Sequence, residues 1–145
     1  MKISDILEKK QKSIVVVRPE DTIETAATLL TTNKIGAMPV RDKDGKLVGV
    51  LSERDIVRGI SEKGAKALSL SVSTLMTSAV TTCSPEDEIT SAIAMMHTRR
   101  FRHMPVLDNS GAMIGMISQG DLIQCKLEMA KMEVNVLRDY AIASR

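Results

Sequence analysis

Two serine–aspartate pairs, 66 positions apart, are the residues of this sequence best suited to hold a ligand. Ser52 precedes Asp55 by three residues, Ser118 precedes Asp121 by three, and each pair follows a short apolar segment that contains a glycine. A serine hydroxyl can hydrogen-bond a phosphate, and an aspartate can accept both hydroxyls of a ribose. A helix beginning at such a serine also offers free N–H groups and a partial positive charge. The pattern therefore suits phosphate and sugar hydroxyls.

The same spacing also has a purely structural interpretation. Ser52 and Ser118 are good N-caps, and an aspartate at the third helical position closes a capping box. Because duplication copies a cap as readily as a binding site, the repetition does not decide between the two interpretations.

A basic cluster distinguishes the second copy from the first. Its members are Arg99, Arg100, Arg102 and His103. Since a guanidinium matches phosphate oxygens bidentately, we expect Arg102 and His103 to clamp a phosphate, with Arg54 and Arg58 as helpers. The alternatives are a solvated corner after a helix or a contact with nucleic acid.

The residues needed for catalysis or metal binding are poorly represented. His97 and His103 are the only histidines, and Cys83 and Cys125 lack metal-ligand spacing,. A Ser-His-Asp arrangement and a P-loop are both absent. We therefore expect no enzyme activity, no metal and no required cofactor, although slow turnover of a bound nucleotide stays open as an alternative.

A repeated α/β unit is expected to position these residues. The pattern predicts a β-α-β-β-α unit over residues 1–64, a connector over 65–71 and a second unit over 72–128,. The predicted strands include residues 14–17, read as buried on both faces, and residues 80–83. Asn33 and Gly36 are expected to end the first long helix. Stacking the two copies about a pseudo-two-fold axis would cover a sheet face that one unit leaves open.

The last helix differs from its counterpart in the first copy. Its apolar residues alternate steps of four and three, which is a heptad seam, and they are Ile123, Leu127, Ala130, Val134, Leu137 and Ala141,. This seam favours a homodimer contact through residues 129–145, and packing against the chain's own domain is the alternative.

The amino-acid composition argues against two classes of protein, those that bind single-stranded nucleic acid and those that bind a membrane surface. Net charge is +2, 43% of residues are apolar, and there is one Phe, one Tyr and no Trp. The scarcity of aromatic residues argues against single-stranded nucleic-acid binding, and the mixed charges give no case for a membrane surface. With no signal peptide or membrane span in view, we expect a cytoplasmic protein with reduced cysteines.

The order of these motifs resembles the CBS domain, named after cystathionine β-synthase, in its tandem form. The matching segments are residues 3–7, Pro19, 38–40, 42–45 and 49–55, and then 72–76, Pro85, 104–106, 108–111 and 115–121. The resemblance implies a disc-like pair, often dimeric, with two clefts that bind adenosine-containing ligands such as AMP, ADP, ATP, NAD(H) or S-adenosylmethionine.

The resemblance also implies which residues face each ligand. Ser52 with Asp55, and Ser118 with Asp121, would bind phosphate and ribose. The adenine would lie against the early strand and the Met-Pro-Val strand of the opposite repeat. Opposite Ser118 and Asp121 these are Val15, Val16, Val17, Ala37, Met38 and Pro39, and opposite Ser52 and Asp55 they are Thr81, Thr82, Cys83, His103, Met104 and Pro105. Thr82 stands where the family often has a base-contacting threonine, whereas its counterpart Val16 has no hydroxyl.

The sequence therefore predicts a non-catalytic regulatory module, of the kind used in energy sensing. An adenine nucleotide would bind between the repeats and change the shape of a homodimer. Since the two repeats and the last helix use up the chain, the regulated target would be a separate, unknown protein. Nucleic-acid binding through residues 99–102 is the alternative.

Overall fold

The computed structural model describes residues 1–10 and 13–144, in which two β-hairpins alternate with six α-helices. The elements are α1 (Ile3–Lys10), α2 (Ile23–Asn33), β1 (Ala37–Arg41), β2 (Leu47–Ser52), α3 (Glu53–Lys63), a 3-10 helix (Gly64–Ser69), α4 (Val72–Leu75), α5 (Ile89–Arg99), β3 (His103–Leu107), β4 (Met113–Ser118) and α6 (Gln119–Ala143). The mixed α/β fold expected from the repeat is confirmed.

The two hairpins have the same register. In the first, Ala37 lies opposite Ser52 and Arg41 lies opposite Leu47. In the second, the equivalent pairs are His103 with Ser118 and Leu107 with Met113. Each hairpin thus carries its serine at the open end of the sheet and its turn at the other. Gly45 and Gly111 have φ values of 80° and 85° in these turns, a conformation that glycine adopts without strain,.

The expected strands at 14–17 and 80–83 are wrong, because each segment forms a single parallel bridge. Val17 donates its N–H to the Pro39 carbonyl (3.2 Å) and accepts from the Arg41 N–H (3.0 Å). The next bond of a parallel ladder would need an N–H from Pro39, which proline lacks. Cys83 is held in the same way between Pro105 and Leu107, so a proline stops the ladder in both repeats.

The two repeats exchange their leading helices. Ile3 and Ile6 of α1 lie in the core of the second repeat, whereas Val72 of α4 lies in the core of the first. The first core is completed by Val17, Ile23, Ala26, Leu30, Met38, Val40, Leu51 and Ile56. The second contains Cys83, Ile89, Ala92, Met96, Met104, Val106, Ile117, Leu122 and Cys125. Neither repeat therefore has a complete core of its own.

Helix α2 ends at Asn33, one of the two residues expected to end it, but Gly36 has no part in its C-cap. Thr22 caps its N-terminus by accepting a hydrogen bond from the Thr25 N–H, and Lys34 (φ 54°), rather than Gly36, takes the left-handed position after Asn33. Gly36 instead lies against Glu53 and His103, where an added Cβ would come within 3.3 Å of the Glu53 Oε1 atom.

Helix α6 packs on the second repeat only along its first part. Leu122 and Cys125 are buried and Met129 is partly buried. The heptad seam is exposed: Ile123 retains 50%, Val134 54% and Leu137 63% of their accessible surface. The chain's own domain therefore does not cover this seam.

Candidate functional site

Both serine–aspartate pairs form complete capping boxes. The Ser52 hydroxyl accepts from the Asp55 N–H (3.2 Å), and Asp55 Oδ2 accepts from the Ser52 N–H (2.9 Å). The Ser118 and Asp121 pair repeats this arrangement at 3.1 and 2.8 Å. The structural interpretation is thus present in both repeats. It also fixes the helix N-terminus and the second carboxylate oxygen of each aspartate beside a cavity.

A cation neutralises each of these aspartates. Asp55 is only 5% exposed, and its Oδ1 accepts from Arg58 (2.6 Å) on the same helix and, more weakly, from the Thr77 hydroxyl (3.5 Å). Asp121 pairs instead with Lys10 (2.8 Å), which comes from the exchanged helix α1 and also donates to the Met116 carbonyl (2.8 Å).

The charge of Asp121 is favoured by its partners. Partial burial opposes ionisation, but hydrogen bonds from Lys10 and Ser118 outweigh it and hold the Asp121 pKa below its ordinary value,. Asp121 is therefore an anion at neutral pH. Sequence reasoning missed Lys10, because only the exchange of α1 between repeats brings it to Asp121.

The cavity beside Ser118, here called the Ser118 cleft, has a volume of about 370 Å³. Val15, Ala37 and Pro39 line one side, and Ser118 and Asp121 line the other. This cleft therefore brings Val15, Ala37 and Pro39 of the first repeat opposite the serine–aspartate pair of the second repeat. Lys10 and Lys34 also line this cleft, and neither was predicted.

The cavity beside Ser52, here called the Ser52 cleft, has a volume of about 340 Å³. Its lining joins Ser52, Arg54 and Asp55 of the first repeat to Thr81, Arg102 and His103 of the second. Arg58 and Arg100 are also in the wall. With four guanidinium groups against the carboxylates of Glu53 and Asp55, this cleft is cationic and suited to a polyanion.

His103 lines both clefts. Burial, followed by the nearby positive charge of Lys10, lowers the His103 pKa, while Asp121 and Glu53 act in the opposite direction. The imidazole is therefore mainly neutral at pH 7, and it can donate and accept hydrogen bonds at the junction of the two cavities.

Several residues expected to face a ligand lie elsewhere. The side chains of Met38 and Met104 are fully buried, and Val17 and Cys83 belong to the cores. Burial raises the Cys83 pKa to about 12. These side chains support the cleft walls from behind.

The other residues outside the cleft linings are Val16, Thr82 and Pro105. Thr82 lines a different cavity, Val16 is partly exposed, and Pro105 is buried with its carbonyl bonded to the Cys83 N–H. Thr82 immediately precedes Cys83, whose side chain enters the core beside its bridge to β3, so the Thr82 side chain points to the other side,.

Metal clusters and membrane-spanning helices are both absent from residues 1–10 and 13–144. No cluster of three or more His, Cys, Asp or Glu side chains there could hold a metal ion. None of the helices described is long and apolar enough to cross a bilayer.

Comparison with known proteins identifies relatives along most of the chain. The family model of the CBS domain matches residues 3–62 and 72–128. The mitochondrial CBS domain-containing protein CBSX3 of Arabidopsis thaliana is 33% identical over 147 residues, which cover 95% of this chain and 70% of that protein.

Two solved structures share the architecture. The CBS-domain containing protein ATU1752 of Agrobacterium tumefaciens is 37% identical with a TM-score of 0.84, covering 87% of this chain and 99% of that one. The CBS domain protein PAE2072 of Pyrobaculum aerophilum, solved in complex with AMP, is 26% identical with a TM-score of 0.78, covering 90% and 99%.

Proposed function

The chain belongs to the CBS-domain family, carrying two copies of the domain, and on that premise we propose that it is a regulatory module that binds adenosine-containing ligands. AMP, ADP, ATP, NAD(H) and S-adenosylmethionine are the candidate ligands, and another protein reads the bound state. The observation that carries this function is that each serine–aspartate pair opens onto a cavity walled by both repeats. The AMP complex of the Pyrobaculum relative supports the ligand class.

In the Ser52 cleft the cations dictate the ligand's orientation. Its phosphates face Arg102, Arg54 and His103, and its ribose lies toward Asp55, with the base against Ala37 and Thr81. Because Asp55 is already bonded to Arg58, a ribose hydroxyl shares that carboxylate rather than replacing its partner. Several guanidinium groups favour a ligand with more than one phosphate.

In the Ser118 cleft a bound ribose and Lys10 would compete for the Asp121 carboxylate. Lys10 is bonded to Asp121 in this structure, and a ribose bound at Asp121 would compete with it, leaving the ammonium group free to follow a phosphate. Val15, Ala37 and Ile114 give this cleft an apolar wall for the base. Ligand binding in this cleft would therefore break the ion pair that ties α1, the helix that carries Lys10, to Asp121.

A signal requires two conformations with different affinities for the ligand, since equal affinity shifts no population. Both clefts span the two repeats, so a ligand favours the arrangement in which their walls fit it. The partner responds to that arrangement, and no catalytic step is assigned to the chain.

The exposed seam on α6 packs against a second copy of the chain, which makes the protein a homodimer. The 25-residue helix is about 37 Å long at 1.5 Å per residue, and a heptad seam is complementary to another helix of the same period. Light scattering is expected to give a dimer mass for the native chain. Leu127→Glu with Leu137→Glu should give a monomer, and a native monomer would contradict this contact.

The decisive experiment for the ligand class is a thermal-shift panel of AMP, ADP, ATP, NAD, NADH and S-adenosylmethionine. A ligand that binds only the folded state raises the apparent stability by mass action, so the tightest ligand should raise Tm most at equal concentration. A panel without any shift would contradict the proposal.

Calorimetry of the tightest ligand then tests the role of Arg102. Arg102→Ala should weaken AMP or ATP binding by about 1.5–3 kcal/mol, the range for hydrogen bonds to charged groups. Arg18→Ala, an exposed arginine outside both cleft linings, is the matched control. Unchanged affinity of the Arg102 variant would contradict the clamp, and a salt-dependent gel shift lost in the same variant would favour nucleic acid instead.

A further inference from the structure

A third cavity lies between the turn ends of the two hairpins. Its volume is about 510 Å³, and it is here called the turn cavity. The first hairpin contributes Arg41 and Lys46, and the second contributes Leu107 and Met113. Ala37 and Arg41 are the two ends of β1, and four steps along an extended strand amount to about 13 Å. The turn cavity therefore lies at the other end of the hairpins from both clefts, and it shares only Val80 with the lining of the Ser52 cleft.

Arg41 is the partly buried charged residue in the lining of this cavity. Its Nη2 donates to the Met113 carbonyl (3.0 Å), which links the first repeat to the second. Its Nε is inaccessible to solvent and has no hydrogen-bond partner among the described residues. No ion pair to a carboxylate forms at Arg41 in residues 1–10 and 13–144.

A partly buried guanidinium in this condition lacks two things that buried charges normally have. One is a counter-ion, and the other is an acceptor for each buried N–H. The Met113 carbonyl is neutral and supplies only one acceptor. An anion in the cavity would provide the missing counter-charge at the Nη groups of Arg41, because guanidinium groups bind oxyanions through their N–H groups. Nε, which solvent does not reach, would not contact it.

The rest of the lining suits a phosphate with an apolar substituent. Lys46 supplies a second cation, and Ser78 and Thr82 supply hydroxyl donors, while no carboxylate residue is in the lining. Leu107 and Met113 form apolar wall beside these polar groups. Two cations balance a phosphate dianion better than a single carboxylate charge.

We propose that the turn cavity is a third binding site, which takes a small organic phosphate held by Arg41, Lys46 and the Thr82 hydroxyl. The ligand would contact both hairpins and residues 78–82 of the second repeat, and so would tie the repeats together at the end away from the clefts. This site is independent of the adenosine clefts, since it shares none of their serine–aspartate pairs.

The test is a pair of chemical-shift titrations on the full-length ¹⁵N-labelled chain. Phenyl phosphate should shift the amides of Lys46, Thr82 and Ala112, and should bind at least several-fold more tightly than inorganic phosphate because of the apolar wall. AMP titrated separately reports on the amides of Ser52 and Ser118, so a failure of the adenosine clefts is seen independently.

Variants decide whether Arg41 holds the anion. Arg41→Met should abolish the phenyl phosphate shifts at the turn cavity, whereas Lys43→Met, at an exposed position in the same turn, should leave them unchanged. Thr82→Val, which keeps the side-chain shape, should weaken binding several-fold and covers the case in which Arg41→Met fails to fold. Shifts confined to the clefts, or turn-cavity binding that is unchanged either in Thr82→Val or in a folded Arg41→Met, would overturn the proposal.

Discussion

Alanine at Gly49 and alanine at Gly115 should have very different effects, although the two glycines occupy equivalent positions in the repeats. A Cβ at Gly49 would lie 2.7 Å from Met76 Sδ and 2.9 Å from the Thr77 carbonyl oxygen. That carbonyl cannot easily retreat, because it accepts a hydrogen bond from the Val50 N–H (3.0 Å). Alanine at position 49 must therefore disturb the backbone pairing that joins β2 to the second repeat.

The neighbour of Gly115 is more tolerant. A Cβ there would lie 2.6 Å from Leu7 Cδ2, the end of a flexible and only partly buried side chain. Overpacking costs about 1–3 kcal/mol. We expect the upper half of that range for Gly49→Ala and about 1 kcal/mol or less for Gly115→Ala, since Leu7 can change rotamer.

Urea denaturation of the two variants measures this difference. The midpoint should fall for Gly49→Ala with the m-value unchanged, and Tm should fall by roughly 4–12 °C, at about 2–4 °C per kcal/mol for a chain of this size. Equal losses in the two variants, or a larger loss at Gly115, would refute the reasoning about how the exchanged helices cover the sheets.

Three other changes test individual contacts. Lys10→Met should lower the free energy of unfolding by about 1 kcal/mol or less, as for a partly exposed ion pair, and should raise the Asp121 pKa measured by NMR; an unchanged pKa would contradict the pairing. His103 has a folded-state pKa below its unfolded value, so the unfolded chain binds more protons and stability should fall as the pH drops below about 6.5,. His103→Gln should lessen that fall in urea titrations at pH 7.5 and 5.5, and an identical pH dependence would count against it. With its pKa raised to about 12, Cys83 in a Cys125→Ser background should react with a thiol reagent at pH 8 only on unfolding, and rapid labelling of the native chain would contradict its burial.

Local residue patterns predicted much of the fold because they act over short distances. The turns at Gly45 and Gly111 need a residue that tolerates positive φ, and the boxes at Ser52 and Ser118 need only residues three apart. These features depend on neighbours in sequence, so the pattern sufficed to locate both hairpins and the start of the helices after them.

Strands were wrongly predicted at 14–17 and 80–83 because the prediction considered only the β-branched residues of each segment and not the strand that would pair with it. Pro39 and Pro105 were visible in the sequence, but their effect depends on which strand pairs beside them. Once Val17 and Cys83 are known to pair there, the missing proline N–H accounts for both single bridges.

The residues of the candidate site could be predicted from the sequence only in part. The facing of Ser118 with Val15 and of Ser52 with Thr81 followed from the resemblance to tandem domains. Lys10 was missed because it reaches Asp121 through the exchange of α1, a contact between residues far apart in sequence. Met38 and Met104 were expected to face ligands, but strand alternation turns their side chains into the cores,.

The most direct test of the central claim is a crystal structure of the chain grown with the ligand that raises Tm most in the adenosine panel. We predict ligand density between the repeats, either from Ser118 and Asp121 toward Val15, or from Ser52 and Asp55 toward Thr81 with phosphates at Arg102. Density found only away from both clefts, or crystals of the saturated protein with both clefts empty, would contradict the account.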